Sequence, residues 1–232
     1  MENNITATYY GQSCVAFDFN GTQVLLDPFI THNPLAKDID VNALNPDYIF
    51  LSHAHADHVA DLVQVQKNSG ATVVAIVETA AWVAKQGLDA DKVIAYNFGG
   101  TLSLPFGKVK MVYALHTNST PEGDYAGVPC GYVFTVGDKN IYFAGDTGLT
   151  MEMKLLEDLN IDWAFLPIGG FYTMDMYDAL KASSFVNCTK IVGVHYNTFP
   201  AITIDTAEAQ QLFSEAGREL FLPEVGAAVR LW

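Results

Sequence analysis

Basic residues are scarce in this sequence. Twelve lysines and arginines stand against 26 aspartates and glutamates, a formal net charge of −14. A surface of that sign repels polyanions at long range, which argues against a broad nucleic-acid or anionic-membrane footprint. The lysines that might form a basic patch, Lys37, Lys67, Lys85 and Lys92, are scattered, so an RNA-processing nuclease is also disfavoured. Cysteine is rare too. Cys14, Cys130 and Cys188 form no Cys-x-x-Cys pair, and an odd count cannot close a full disulfide set. They read as buried free thiols in a reducing compartment. No apolar run approaches the length needed to cross a bilayer. The opening Met1-Glu2-Asn3-Asn4 has no basic segment and no following apolar stretch. The expectation is therefore no signal peptide, no membrane insertion and a cytoplasmic location.

What the sequence does have is core material. Half of its 232 residues are apolar and 16% are charged, enough for one substantial core and unlike a disordered or collagen-like chain. There is no low-complexity segment, composition break or short-period repeat, so residues 1–232 read as a single domain. Thr6 to Tyr10 and Ser13 to Phe19 read as strands, and Asn20-Gly21 is a tight-hairpin signal before Thr22 to Leu26. Further strands are expected over Tyr48–Leu51, Thr72–Val77, Lys92–Tyr96, Leu102–Leu104, Val109–Leu115, Tyr132–Val136, Ile141–Ala144, Asp162–Leu166, Ile191–Val194 and Leu220–Leu222. Helices are expected from Val59 to a stop at Gly70, and over Glu78–Gln86, Met151–Leu159, Met174–Val186 and Thr206–Ala216. Each half runs from a β meander into alternating β and α. The expected architecture is two mixed sheets packed together with helices outside.

The informative segment is His53-Ala54-His55-Ala56-Asp57-His58, between a predicted strand and a predicted helix. Four metal-competent side chains in six residues cannot all point one way from a regular element. In an extended stretch His53 and His55 can share a face, and Asp57 and His58 can reach a second point beyond. Of the six histidines, His116 and His195 each follow a predicted strand, as do Asp27 and Asp146; only His32 falls outside the pattern. Ligands in α/β architectures gather at the carboxyl ends of strands, so separate strands can deliver these residues to one edge. Singly, each has a plainer explanation. Asp57 could cap a helix, Asp146 could occupy a turn, Asp27-Pro28 could stop a strand, and the two histidines could be hydrogen-bonded strand ends. Four polar side chains packed together without a partner are costly, and the hexad tips the reading towards metal.

His-x-His-x-Asp-His after a strand, followed by a lone His, Gly145-Asp146-Thr147 and a late His, resembles the metallo-β-lactamase-fold superfamily across nearly the whole chain. Val24-Leu25-Leu26-Asp27-Pro28, Pro167-Ile168-Gly169-Gly170, Tyr172-Thr173-Met174 and His195-Tyr196-Asn197-Thr198-Phe199-Pro200 are similar to its short bacterial and archaeal metal-dependent hydrolase branch. That branch is akin to the ascorbate-6-phosphate lactonases and, more distantly, to N-acyl-phosphatidylethanolamine phospholipase D. The resemblance implies an αββα sandwich of the α/β class with a two-metal site at one edge. His53, His55 and His116 would bind one ion, Asp57, His58 and His195 the other, and Asp146 would bridge them. Asp27 would orient a ligand histidine from behind. Zinc is the first expectation for the two divalent ions. Manganese, iron and nickel suit the same donors, since ligand type alone does not choose among them.

Two such ions can lower the pKa of a shared water towards about 7, giving a hydrolase for a small ester, lactone or phosphoester in which Asp57 accepts a proton or aims the nucleophile. Departures within the superfamily discriminate further. Penicillin-cleaving members commonly carry a cysteine in the second site, and diiron oxidoreductase members a glutamate where this chain has His55. Phe171 stands where the closer branch would carry a histidine or another polar residue. A small-molecule substrate is the expected partner, with Asn118, Tyr172 and Asn197 as candidate contacts and the loop over 117–129 as a candidate gate. The rival readings are a mononuclear-iron, sulfur-dioxygenase-like oxidoreductase, the RNA-processing nuclease already disfavoured by charge, and a non-catalytic metal scaffold. Low charge and 14 phenylalanines leave room for contacts in a homo-oligomer.

Overall fold

The computed structural model describes residues 4–232; Met1, Glu2 and Asn3, on which most of the leader reading rests, lie outside the described residues. Fourteen strands form two sheets. The first contains β1 (Ile5–Tyr9), β2 (Val15–Phe19), β3 (Thr22–Leu26), β4 (Tyr48–Phe50), β5 (Thr72–Ile76), β6 (Val93–Tyr96) and β14 (Ala228–Arg230), in the order β14-β1-β2-β3-β4-β5-β6. The second contains β7 (Thr101–Leu104), β8 (Gly107–Tyr113), β9 (Cys130–Val136), β10 (Lys139–Phe143), β11 (Trp163–Pro167), β12 (Lys190–Val194) and β13 (Glu219–Phe221), ordered β13 to β7. In each sheet, antiparallel pairing gives way to parallel pairing at one strand, β3 in the first and β10 in the second.

Five α-helices join the strands: α1 (Ala56–Val59), α2 (Leu62–Ser69), α3 (Val77–Val83), α4 (Met176–Phe185) and α5 (Thr206–Glu215). Strand alternation sorts the side chains between faces. On β3, Val24 and Leu26 join the core shared by both sheets, while Leu25 turns to a second cluster with Leu62, Val65, Ala80 and Val83 of α2 and α3. Ala179, Ala182, Ala209 and Phe213 of α4 and α5 pack on the other sheet. The result is the αββα layering expected from the sequence. Aromatic rings join the sheets. Phe17 of β2 meets Phe134 at 5.8 Å and Phe165 edge-on at 5.0 Å, and Phe50 of β4 meets Tyr132 edge-on at 5.1 Å. Such ring pairs add to the free energy of burying their area.

Several sequence expectations need correction. Ser13 is not in a strand: Gly11 (φ +90°) and Gln12 (φ +54°) turn the chain between β1 and β2, closed by a bond from Tyr10 N–H to the Cys14 carbonyl at 2.8 Å. The helix expected from Val59 is two pieces, α1 and α2, broken at Ala60-Asp61. Asp61 turns its carboxylate to the backbone N–H groups of Ile30 and Thr31, at 2.5 and 2.9 Å, instead of capping a continuous helix. Met151–Leu159 is a 3₁₀ helix, stopped by left-handed Asn160. Met153, Leu156 and Leu159 face the core at a spacing of three, which suits three residues per turn better than 3.6. β14, with no strand signal strong enough to notice, closes the edge beside β1.

Candidate metal centre

The sequence-derived residues converge. Asp27 follows β3, the hexad follows β4, Asp146 follows β10 and His195 follows β12, while His116 lies three residues beyond β8. The carboxyl ends of these strands meet at one edge of the sandwich. The chain must bend sharply to arrive there. Asp27 (φ +46°) and His195 (φ +54°) adopt the left-handed region that non-glycine residues seldom occupy, a strain that concentrates at functional sites. Gly145 is required outright: with φ +65°, a Cβ there would lie 2.7 Å from the Cys130 carbonyl and 2.9 Å from Ser52 Cβ. Only glycine lets the strand bring Asp146 this close to the hexad.

Three sets of side chains could each surround an ion: His53, His55 and His116; Asp57, His58 and His195; and Asp27, His53 and His58. The hydrogen bonds decide among them. Asp27 Oδ1 accepts from the Ser52 backbone N–H at 2.7 Å, and its Oδ2 accepts from Ser52 Oγ at 2.6 Å and from His58 Nδ1 at 2.9 Å. That carboxylate is spent on protein donors, which leaves the first two sets as the open ones. Ser52 Oγ, its proton given to Asp27, can only accept at His53 Nδ1, 2.9 Å away. His53 therefore carries its proton on Nδ1 and turns a lone pair on Nε2 towards His55 Nδ1 at 2.9 Å.

His58 is the sharper case. With Nδ1–H donated to Asp27, its buried Nε2 makes no hydrogen bond, yet it lies 3.3 Å from Asp146 Oδ2 and 3.6 Å from Asp57 Oδ2. A lone pair facing two carboxylates is repulsive, and either a proton on Nε2 or a divalent cation between the groups relieves that repulsion. His195 Nε2, at 3.0 Å, and His116 Nε2, at 3.8 Å, approach the same Asp146 oxygen. The donor set thus fits divalent cations.

The electrostatics divide the set. Burial, helped by His58, holds His53 well below the usual histidine range, and the same two causes lower His55. Burial also lowers His116, against the pull of Asp146. These imidazoles are neutral at neutral pH, as metal ligands must be. His58 goes the other way: burial opposes its charge, but Asp146, Asp57 and Asp27 together outweigh burial and raise it well above the usual value. Burial would raise Asp146, yet His195 and His58 hold it well below the carboxylate range. Asp27 is raised, because burial exceeds what His58 and Ser52 return.

Sequence reasoning missed the loop that braces this arrangement. Gln12 Nε2 donates to Asp57 Oδ2 at 2.8 Å, Ser13 Oγ donates to Asp146 Oδ1 at 3.0 Å, and the His195 backbone N–H donates to the Gln12 carbonyl at 2.7 Å. Two consecutive residues thus hold the side chains of Asp57 and Asp146 and the backbone of His195. Their signal was the polar Gly11-Gln12-Ser13 interruption between two apolar stretches.

A cavity of about 750 Å³ opens over the cluster. His55, Asp57, His116, Asp146 and His195 lie in its wall, with Phe29, Phe199, Tyr172 and Thr117. His32, set aside by the sequence pattern, also lines it. Tyr172 lines the cavity, whereas two other candidate substrate contacts do not. Asn118 is buried, accepting from Ala54 N–H at 2.9 Å and donating to the Ala126 carbonyl at 2.7 Å. Asn197 accepts from Ile204 N–H at 2.8 Å. Both side chains are committed to backbone. The loop over 117–129 is a small closed hairpin, with Ser119 bridged to Tyr125, Thr79 Oγ1 bonded to the Ala126 carbonyl at 2.8 Å and Trp82 Nε1 bonded to Glu122 at 3.2 Å. Thr117 is its contribution to the cavity wall.

Comparison with known proteins fits this geometry. A family model described as a beta-lactamase superfamily domain matches residues 22–223. A protein of Christiangramia forsetii named "UPF0173 metal-dependent hydrolase" is 46% identical over 226 residues, 97% of this chain and 99% of that protein. A protein of the same name from Flavobacterium johnsoniae is 44% identical over 225 residues, again 97% and 99%. Among solved structures, Igni18, described as a novel metallo hydrolase from the archaeon Ignicoccus hospitalis, superposes with a TM-score of 0.88 at 33% identity, covering 97% of each chain.

Proposed function

This chain belongs to the beta-lactamase superfamily as a metal-dependent hydrolase, and from that premise we propose that it uses two divalent ions to hydrolyse a small ester, lactone or phosphoester. The observation that carries this reading is the unpaired, buried His58 Nε2 facing the Asp57 and Asp146 carboxylates. His53, His55 and His116 would hold one ion and Asp57, His58 and His195 the other, with the Asp146 carboxylate beside both groups. When bound, such a pair supplies a water of lowered pKa and stabilises negative charge developing on the substrate oxygen.

The chain's own residues do the rest. Asp27 fixes the His58 tautomer from behind and keeps its Nε2 turned inwards. Asp57, about three-tenths exposed at its side chain and held through Oδ2 by Gln12, has Oδ1 free to take the proton of the attacking water and pass it to the leaving oxygen. Zinc is the foremost candidate ion. The same reading takes residues 1–232 as one cytoplasmic domain acting on a small molecule.

The test is metal content by elemental analysis alongside turnover on a panel of lactones, carboxylic esters, phosphomonoesters and phosphodiesters. Two ions per chain are expected, with activity falling to background in His55→Ala. Near-normal turnover in that variant overturns the reading. One iron per chain with oxygen uptake on a persulfide replaces it with the oxidoreductase.

A further inference from the structure

The reading above leaves the substrate class open, and the walls of the cavity narrow it. Beyond the metal-competent side chains, the lining is dominated by aromatic and small apolar residues: Phe29, Phe199, Tyr172, Ala56 and Ala60. Phe29 and Phe199 lie 6.3 Å apart, ring centre to ring centre. Phe29 is held in place by its own loop, since Ile30 and Thr31 are bonded to Asp61 and Asn33 Nδ2 donates to the Phe29 carbonyl at 3.3 Å. This wall is built before any ligand arrives.

Charge points the same way. Among the described residues lining the cavity there is no lysine or arginine. The side-chain donor of Gln12 is already engaged by Asp57. What remains is neutral or metal-competent, in a protein of net charge −14. A phosphoryl group remote from the metals would meet Phe29, Phe199, Tyr172, Thr117 and the His32 ring, with no lysine or arginine to hold it. An uncharged molecule pays no such desolvation cost.

A third observation lies at the cavity's side. Phe171 adopts φ +59° and is 79% exposed. Neither its backbone nor its own burial favours an aromatic residue there. Its ring packs edge-on against Tyr172 at 4.7 Å, and Tyr172 is itself 55% exposed while lining the cavity. Exposed aromatic surface beside a pocket marks a binding face. Phe171 stands where the resemblance to the metal-dependent hydrolase branch implies a histidine or another polar residue.

We propose that the substrate is an uncharged carboxylic ester or lactone bearing an apolar group, which packs against Phe29 and Phe199 and continues over Tyr172 towards Phe171. This rests on the hydrolase reading and narrows it to carboxylic acyl groups, with no phosphoryl group carried away from the metals. In the reaction the acyl C–O bond breaks and water oxygen bonds to the acyl carbon. One water proton goes to the leaving alkoxide and the other to solvent, giving an alcohol and a carboxylate. Phe29, Phe199, Tyr172 and Phe171 determine specificity and take no part in bond making.

Metal-loaded protein is assayed on γ-lactones with alkyl tails of zero to eight carbons, on a phosphorylated sugar lactone and on p-nitrophenyl phosphate. kcat/KM is expected to rise about threefold to fourfold for each methylene that the wall covers, with the phosphorylated compounds at background. Phe29→Ala and Phe199→Ala flatten that rise, and the milder Phe199→Leu keeps part of it should an alanine variant fail to fold. Binding of hexanoate and octanoate, followed by saturation-transfer NMR, gives a readout independent of turnover. Tail-dependent binding weakened in Phe199→Leu, with no lactone or ester turned over, would sink the hydrolase reading and the substrate assignment with it, leaving only an apolar binding wall. Turnover indifferent to tail length, or best on a phosphorylated compound, overturns the proposal while the hydrolase reading survives.

Discussion

The two sheets repeat one plan and diverge in chemistry. Each runs through antiparallel pairings and changes to parallel pairing at a single strand, β3 in one and β10 in the other, and a buried aspartate follows each, one residue past β3 and three past β10. Asp27 and Asp146 thus lie at the same end of corresponding strands, at different offsets. Asp27 is surrounded by N–H and O–H donors from Ser52 and His58, and burial raises its pKa. Asp146 is surrounded by the imidazoles of His58, His116 and His195, and its pKa is held down. Each sheet thus delivers one buried aspartate from the end of its switch strand. The neighbours decide whether the carboxylate there becomes a strut or a binding group.

The largest effect that would sharpen this contrast is Asp146→Asn. The substitution keeps the size and removes the charge that His58 and His195 face, so metal affinity is expected to fall by more than about 100-fold, beyond what a supporting hydrogen bond costs. Competition titration with a metallochromic dye measures it. Next comes the shared core. Phe17→Ala strips the ring that bridges to Phe134 and Phe165 and should cost about 3–5 kcal/mol in denaturant unfolding. Two separated transitions would mean that the sheets unfold independently, breaking the comparison at its base.

Asp27→Asn should lower metal affinity by about 10–100-fold, with Gln12→Ala towards the lower end. An Asp27→Asn loss equal to that of Asp146→Asn would erase the distinction drawn between the two positions.

The smallest effect concerns the thiols. Burial pushes Cys130 up to about 12 and Cys188 up to about 11, and raises Cys14 as well. Unfolded thiols ionise near 8.5, so above that pH the unfolded chain holds fewer protons than the folded one and stability falls as pH rises. Each thiol contributes a slope of up to about 1.4 kcal/mol per pH unit until its folded value is reached. Native protein at pH 8 should leave a thiol reagent unreacted in both halves alike, with three equivalents consumed after denaturation.

Much of this was legible in the sequence because it depends on local rules. Asn20 and Gly21, both at positive φ, fix the hairpin that bounds β3, and the histidine hexad announces itself by density alone. What depends on tertiary contact was hidden. Ser13 looked like the start of a strand, with Gln12 just outside it, and only the packing of the segments that follow β4, β10 and β12 around their loop gives them Asp57, Asp146 and His195 to hold. Asn118 looked like a ligand-binding amide because its partners, Ala54 and Ala126, are backbone groups that no side-chain pattern advertises. Phe29 and Phe199 gave no sign that they line a cavity, since an aromatic residue facing a cavity and one facing a neighbour are spelled alike.

The hairpin over 117–129 is fastened to α3 at both Thr79 and Trp82, which makes it a doorpost and not a door. Molecules entering beside it need not wait for a segment to swing away. Their arrival is then paced by diffusion past Tyr172, so thickening the solvent with sucrose should slow capture in proportion to viscosity.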